Sequence, residues 1–190
     1  DAATAQVLGT DTVAEIAVGD VFLAIGQSNM SGYSGTLDPA EPPIDRVHLF
    51  GNDYAWKRAR EPMDDGTDQV DRVSEEAPAH TLMLRFAKEI EKAVGVPVAI
   101  IPAPLGGTNL YSQWQRNAAD PANRGTLYGS AIARVRAQGY AHPIRGALWY
   151  QGESNAGNAA RYGELLARLI RDWRHAWGQR DFAFLTVQLA

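Results

Sequence analysis

Runs of consecutive apolar residues alternate along this chain with stretches of helical period, and three of the runs end in small or amide-bearing polar groups. Val21-Phe22-Leu23-Ala24-Ile25 leads into Gly26-Gln27-Ser28-Asn29. Val98-Ala99-Ile100-Ile101 leads towards Gly106-Gly107-Thr108-Asn109, and Gly146-Ala147-Leu148-Trp149-Tyr150 into Gln151-Gly152-Glu153-Ser154-Asn155. Apolar character at every position predicts strands buried on both faces rather than one. Val47-His48-Leu49-Phe50 predicts a further short strand, and Phe182 to Val187 a final buried one.

Between the runs the period changes. Leu82, Met83, Phe86, Ala87, Ile90 and Val94 fall on one helical face, with Gly95 and Pro97 as stop signals. Thr126 to Gln138 predicts a second helix, closed by Gly139. Tyr162, Leu165, Leu166, Leu169, Ile170, Trp173 and Trp177 form the clearest stripe, ended by Gly178. Residues 31–46 are rich in Gly, Pro, Ser and Asp, and 51–78 show no period, so both read as loops; loops of such length are uncommon unless functional.

Strand and helix alternate, which predicts an α/β fold: a flavodoxin-like three-layer α/β/α arrangement around a parallel sheet of about five strands. Residues 1–18 read as a lead-in strand or linker and 19–190 as one domain. In open sheets of this kind ligands sit beyond the C-terminal ends of the strands, where the three polar groups fall.

Composition narrows the class. The 190 residues carry 18 Lys plus Arg against 22 Asp plus Glu, a formal net charge of −4, and no basic patch, which argues against nucleic acid as a partner. No apolar stretch approaches a membrane span. There is no cysteine, so disulfides and thiolate metal sites are excluded. The chain begins at Asp1 without a methionine and with no visible signal peptide, as expected of a processed or trimmed product.

Ser28 is the first chemical candidate. A serine hydroxyl is a poor nucleophile until a base lies within hydrogen-bond reach. Gly26 permits a sharp exit from the strand, and a helical turn starting at 28–30 would point free N–H groups at a developing oxyanion. The pattern is Gly-x-Ser-x-Met, so the strained elbow of the α/β-hydrolases is not expected. Ser28 as a plain helix N-cap is the competing reading. Gly106-Gly107 lets a backbone N–H approach a ligand, or else forms an ordinary turn with Thr108 capping a short helix. A carboxamide and a carboxylate directly after a buried strand are costly unless satisfied. Gln151 can donate an N–H to an oxyanion; Glu153 can orient neighbours, hold a loop or pair with an arginine. Of the four histidines, none addresses Ser28 from a strand end; His48 and His80 keep a residual claim to a site role, and His142 and His175 read as structural or solvated.

Gly26-Gln27-Ser28-Asn29-Met30, Gly106-Gly107-Thr108 and Trp149-Tyr150-Gln151-Gly152-Glu153-Ser154 together resemble the SGNH (GDSL-like) hydrolases. Within these the chain is similar to the sialate O-acetylesterase and family 6 acetylxylan esterase group, from about Gly19 onwards; Trp56, Ala59, Pro62 and Phe86-Ala87 add to the likeness. The resemblance implies ester hydrolysis through an acyl-serine intermediate, with no metal or cofactor and acetylated carbohydrates as substrates. It implies Ser28 as nucleophile, with the Ser28 and Gly107 N–H groups and the Gln151 side chain as oxyanion hole. Gln27, Asn29, Gly106, Thr108, Asn109 and Glu153 would line the substrate cleft. Secretion or a periplasmic location would suit a polymeric sugar substrate.

The same resemblance implies a histidine base in an Asp-x-x-His motif beyond the fifth strand. No such motif follows that strand here, where the sequence runs Val187-Gln188-Leu189-Ala190. The expectation is therefore an SGNH-like domain whose catalytic Asp and His come from a missing C-terminal segment or a separate chain. Two other readings remain: a non-catalytic carbohydrate-binding domain derived from such an esterase, and a flavodoxin-like phosphate or nucleotide binder using Gly26 to Gly32 as an anion loop.

Overall fold

A computed structural model describes residues 17–33, 42–74, 78–139 and 144–189. The expected lead-in over 1–18 lies almost wholly outside them. The elements in order are β1 (Asp20–Gly26), α1 (Ser28–Ser31), β2 (Val47–Phe50), β3 (Trp56–Arg58), α2 (Met83–Val94), β4 (Val98–Pro102), α3 (Leu127–Ala137), β5 (Gly146–Tyr150), a 3₁₀ helix (Glu153–Asn158), α4 (Tyr162–Ala176) and β6 (Ala183–Thr186).

The strands form one sheet in the order β3-β2-β4-β1-β5-β6. Five run parallel; β3, which the sequence did not signal, pairs antiparallel with β2. The three-layer α/β/α class holds. In detail β4 lies between β1 and β2, whereas a flavodoxin-like order puts the first two strands side by side. The chain leaving β1 travels to one side of the sheet and the chain leaving β5 to the other, so their ends diverge and open a crevice.

Each face of the sheet has its own core. Phe22, Ala24, Leu49, Val98, Ile100 and Leu148 meet Met83, Leu84 and Ala87 of α2 on one side. Leu23, Ile25, Ile101, Ala147 and Trp149 meet α3, α4 and Trp114 on the other. Alternate residues of β1 thus feed opposite cores, the reason the strand is apolar at every position. Trp114, Trp149 and Trp173 pack edge to face, with centroids 5.2 to 6.4 Å apart.

One expectation needs correction. β6 is an edge strand rather than a buried one: among the described residues it pairs with β5 alone, and Leu185 is 45% exposed. Helix α3 buries the charged Arg134 completely along with its apolar residues.

Candidate active site

The register of β1 with its neighbours sets the site. Gly26 pairs with Tyr150 and Ala24 with Pro102, so β1, β4 and β5 end at nearly the same level. Hydrogen bonds carry the alignment past the strands: Gln27 N–H to Tyr150 O (3.0 Å), Ala103 N–H to Ala24 O (2.8 Å) and Leu105 N–H to Gly26 O (3.2 Å). Ser28, the 103–110 loop and Gln151 therefore leave one edge of the sheet side by side. Gly26 makes this possible: at φ +145° a Cβ there would lie 2.1 Å from Tyr150 O. Any side chain would drive β1 and β5 apart.

Helix α1 is a single turn. Met30 and Ser31 N–H groups bond to Gln27 O, so the Ser28 and Asn29 N–H groups precede the first intrahelical bond. The N-cap position belongs to Gln27, whose side chain makes no capping bond. Ser28, the first helical residue, is half-buried and does not act as the cap. A hydroxyl at a strand exit beside uncommitted N–H groups is the arrangement that acyl transfer requires.

Gln151, Gln27, Thr108 and Asn155 are all buried and bound to one another. The Gln151 Nε2 lies 3.1 Å from Gln27 Oε1, 3.0 Å from Thr108 O and 2.7 Å from Asn155 Oδ1. An amide nitrogen has two protons, so it serves two of these acceptors at a time. Gln27 Oε1 also accepts from Ser154 N–H (3.3 Å) and Asn155 Oδ1 from Leu110 N–H (3.0 Å). Turning one Gln151 N–H towards a ligand thus leaves both side-chain acceptors with a donor.

The cleft-lining expectations divide on these contacts. Gln27 braces the β1 and β5 exits. The Thr108 hydroxyl donates to Leu105 O (2.7 Å) and accepts from Trp114 Nε1–H (3.0 Å), which holds its loop together. Asn109 is tied to Gln113 and Ser112 in a local turn. Gly107 is exposed at φ +69° with open space where a Cβ would be, beside Gly106 in the same turn. Asn29 is exposed and donates to Glu153 Oε1 at 2.5 Å, while Glu153 Oε2 is buried with no hydrogen-bond partner. A buried carboxylate oxygen without a donor is an open acceptor for an incoming N–H. Asn155, the link between the 106–110 turn and Gln151, was not singled out from sequence; an amide four residues after Gln151 in a 3₁₀ helix was the available signal.

No hydrogen bond joins Ser28 to a histidine among the described residues. His48 lies on β2, two strands from β1. His80 belongs to the segment whose Ala79 N–H bonds to Gly32 O, and its charge is felt by Glu61, whose pKa is raised by burial. His142 falls outside the described residues. One Asp-x-x-His spacing does occur ahead of the last strand, at Asp172 and His175. It lies at the end of α4, where Gln179 bonds to Ile144 O and Arg174 to Phe182 O, at the start of β5 and β6. That is the opposite edge of the sheet from Ser28, roughly 15 Å away for strands of this length.

The long 51–74 loop is anchored by a buried ionic cluster. Asp71 accepts from Arg124 Nε (2.6 Å), Tyr54 Oη (2.7 Å), Ser130 Oγ (2.7 Å) and Arg134 Nε (3.5 Å). The Arg134 guanidinium also donates to Ser74 Oγ (2.9 Å), Asn52 Oδ1 and Pro102 O. Burial alone would raise the Asp71 pKa; the Tyr54, Ser130 and Arg124 hydrogen bonds and the Arg134 charge outweigh it and hold it below the usual carboxylate range. Through Pro102 the cluster fixes the end of β4, from which the 103–110 loop springs.

With this geometry in place, residues 18–190 match the family described as carbohydrate esterase, sialic acid-specific acetylesterase. The chain belongs to that family. Two similar solved structures share the fold. One is a protein from Arabidopsis thaliana, 24% identical, with a TM-score of 0.73, covering 90% of this chain and 74% of the other. The second is a novel carbohydrate acetylesterase from Xanthomonas citri, 26% identical, with a TM-score of 0.65, covering 90% of this chain and 42% of that one. Comparison with curated proteins finds no match. Among the described residues of this esterase-family chain no helix is long and apolar enough to cross a membrane.

Proposed function

We propose that this chain removes O-acetyl groups from carbohydrates through an acyl-serine intermediate on Ser28. The observation that carries the reading is the common exit level of β1, β4 and β5, which gathers a half-buried hydroxyl, a glycine turn and a buried carboxamide at one edge of the sheet. Family membership supports the same chemistry. In the proposed reaction Ser28 Oγ attacks the acetyl carbonyl as its proton passes to a base. The oxyanion is met by the Ser28 and Gly107 N–H groups and by Gln151 Nε2. The base then protonates the departing sugar oxygen, and water attacks the acyl-serine to release acetate.

The base in this reading is an imidazole that, with its acid, comes from a further segment or a separate chain; the described histidines do not address Ser28. Glu153 Oε2, buried without a hydrogen-bond partner, would accept an N–H from such a group in this reading. Asn29 and Gly106 border the departing sugar in this reading, and polymeric acetylated sugars would place the enzyme outside the cell or in the periplasm.

Acetate release from an aryl acetate, acetylated xylo-oligosaccharides and O-acetylated sialic acid tests the proposal. Without a triad histidine only about a thousandfold to ten-thousandfold acceleration over water is expected; with one supplied, full turnover. With the base supplied, Ser28→Ala should lower release to that residual level, and rapid quenching of the unmodified chain should trap one acetyl group on Ser28. Release rates that ignore Ser28→Ala would overturn the mechanism. Calorimetric sugar binding without turnover, even with the histidine supplied, would favour the non-catalytic carbohydrate-binding domain.

A further inference from the structure

The Gln151 carboxamide can perform its proposed role only in one of two orientations. Rotated by half a turn about its last bond, it would present an oxygen where a donor is needed. Three acceptors surround its nitrogen, as described above. What faces its oxygen is Tyr162, the first residue of α4, whose place in the sequence is simply one more apolar position of that helix.

Tyr162 Oη lies 2.7 Å from Gln151 Oε1 and 2.7 Å from Gln151 O, and it accepts the Trp149 Nε1 proton at 2.9 Å. The indole has only a donor to offer, so Trp149 donates to Tyr162 and the phenol proton is left for one of the two Gln151 oxygens. The phenol has a single proton and two acceptors on the same residue: the bond to Oε1 restrains the side-chain amide, and the bond to O holds the backbone. Burial raises the Tyr162 pKa, the Trp149 hydrogen bond lowers it and the Glu153 charge raises it, with a net rise that keeps the proton in place at neutral pH.

We propose that Tyr162 is a positioning residue that holds the Gln151 amide nitrogen, rather than its oxygen, towards the Ser28 cleft. The proposal rests on the oxyanion role given to Gln151. Tyr162 itself does not reach the reacting atoms; Trp149 sets its polarity, and the acceptors Gln27, Thr108 and Asn155 complete the selection. A flipped amide would set oxygen against three oxygens and leave the phenol proton with the backbone carbonyl as its single target.

The test is Tyr162→Phe, which keeps the ring and removes one oxygen, with two readouts. The first is independent of turnover: the NMR signals and hydrogen exchange of the Gln151 side-chain NH₂. Tyr162→Phe should broaden or double those signals and speed their exchange. The second is acetate release by the protein with its base supplied: kcat should fall about tenfold or more while KM moves less than about twofold, because an oxyanion donor acts in the transition state. In the Gln151→Ala background Tyr162→Phe should cost nothing further.

Unchanged Gln151 NH₂ signals, or losses that multiply in the double variant, would overturn the positioning role. If Tyr162→Phe fails to fold, replacement by 3,5-difluorotyrosine serves instead: its more acidic phenol should add a falling limb to the kcat profile on the alkaline side, and an unshifted profile would overturn the proposal. Acetate release unchanged by Ser28→Ala would sink the esterase mechanism but leave the NMR arm to decide the amide orientation, so the two failures are distinguishable.

Discussion

Removing the Asp71 carboxylate tests an ion pair whose two side chains are both fully buried. In Asp71→Ala, Arg124 can turn to water because its side chain is half exposed, but Arg134 cannot, since its side chain and that of Asp71 are both fully buried. Breaking a buried pair by deleting one partner costs about 3–5 kcal/mol, because the remaining charge stays uncompensated. Tyr54 and Ser130 each lose an acceptor as well. The loss is a large share of the roughly 5–15 kcal/mol that a domain has in total. At about 2–4 °C per kcal/mol for a chain of this size, the melting temperature should fall by about 6 to 20 °C. Urea titration followed by tryptophan fluorescence reads the change directly, since Trp114, Trp149 and Trp173 are buried in the core. Arg124→Ala is the control and should cost a small fraction as much. A loss below about 1 kcal/mol in Asp71→Ala, or an equal loss in the control, would refute the claim that Arg134 depends on this carboxylate.

The same cluster gives a pH dependence. Because the folded state holds the Asp71 pKa below its ordinary value, its stabilisation is complete above that ordinary value, near 4, and drains away as pH falls through the lower folded one. Wild type should therefore lose stability below about pH 4 more steeply than Asp71→Ala, as acid titrations of the urea midpoint would reveal. Gly26→Ala should prevent a native β1–β5 pairing, given a Cβ 2.1 Å from a backbone oxygen, and its near-ultraviolet dichroism should lack the tryptophan signature of the folded protein. Trp114→Phe removes the donor to Thr108 and should cost about 1–3 kcal/mol, with faster amide exchange concentrated in residues 105–114. Glu153→Gln keeps the shape but removes the charge; with the base supplied, kcat should drop while KM holds, and an unchanged kcat would deny Glu153 any part in orienting that base.

How much of this was legible beforehand depends on range. The apolar runs at 21–25, 98–101 and 146–150 specified their strands because burial on both faces leaves no other periodicity, and the stripes at 82–94 and 162–177 specified helices by the same logic. Gly26-Gln27-Ser28 and Gln151-Gly152-Glu153 could be named because polar groups at the ends of buried strands have few innocent explanations. The roles within those motifs were not legible. Gln27 and Thr108 look like cleft residues in sequence, yet their side chains are turned inward to hold loops together. The three-residue strand β3 carries too few residues for any periodicity to register, and β6 was misread as buried because the composition of an edge strand does not record which neighbour is absent.

Local patterning alone determined the class of fold and the polar groups that end its central strands, because side-chain period and strand burial are written over spans of five to fifteen residues. Only the folded chain decided that β4 and β5 flank β1, that Arg134 lies buried against Asp71, and that Tyr162 reaches the Gln151 amide. Those facts depend on which distant segments become neighbours, and hydrogen-bond direction and desolvation exist only once they have met.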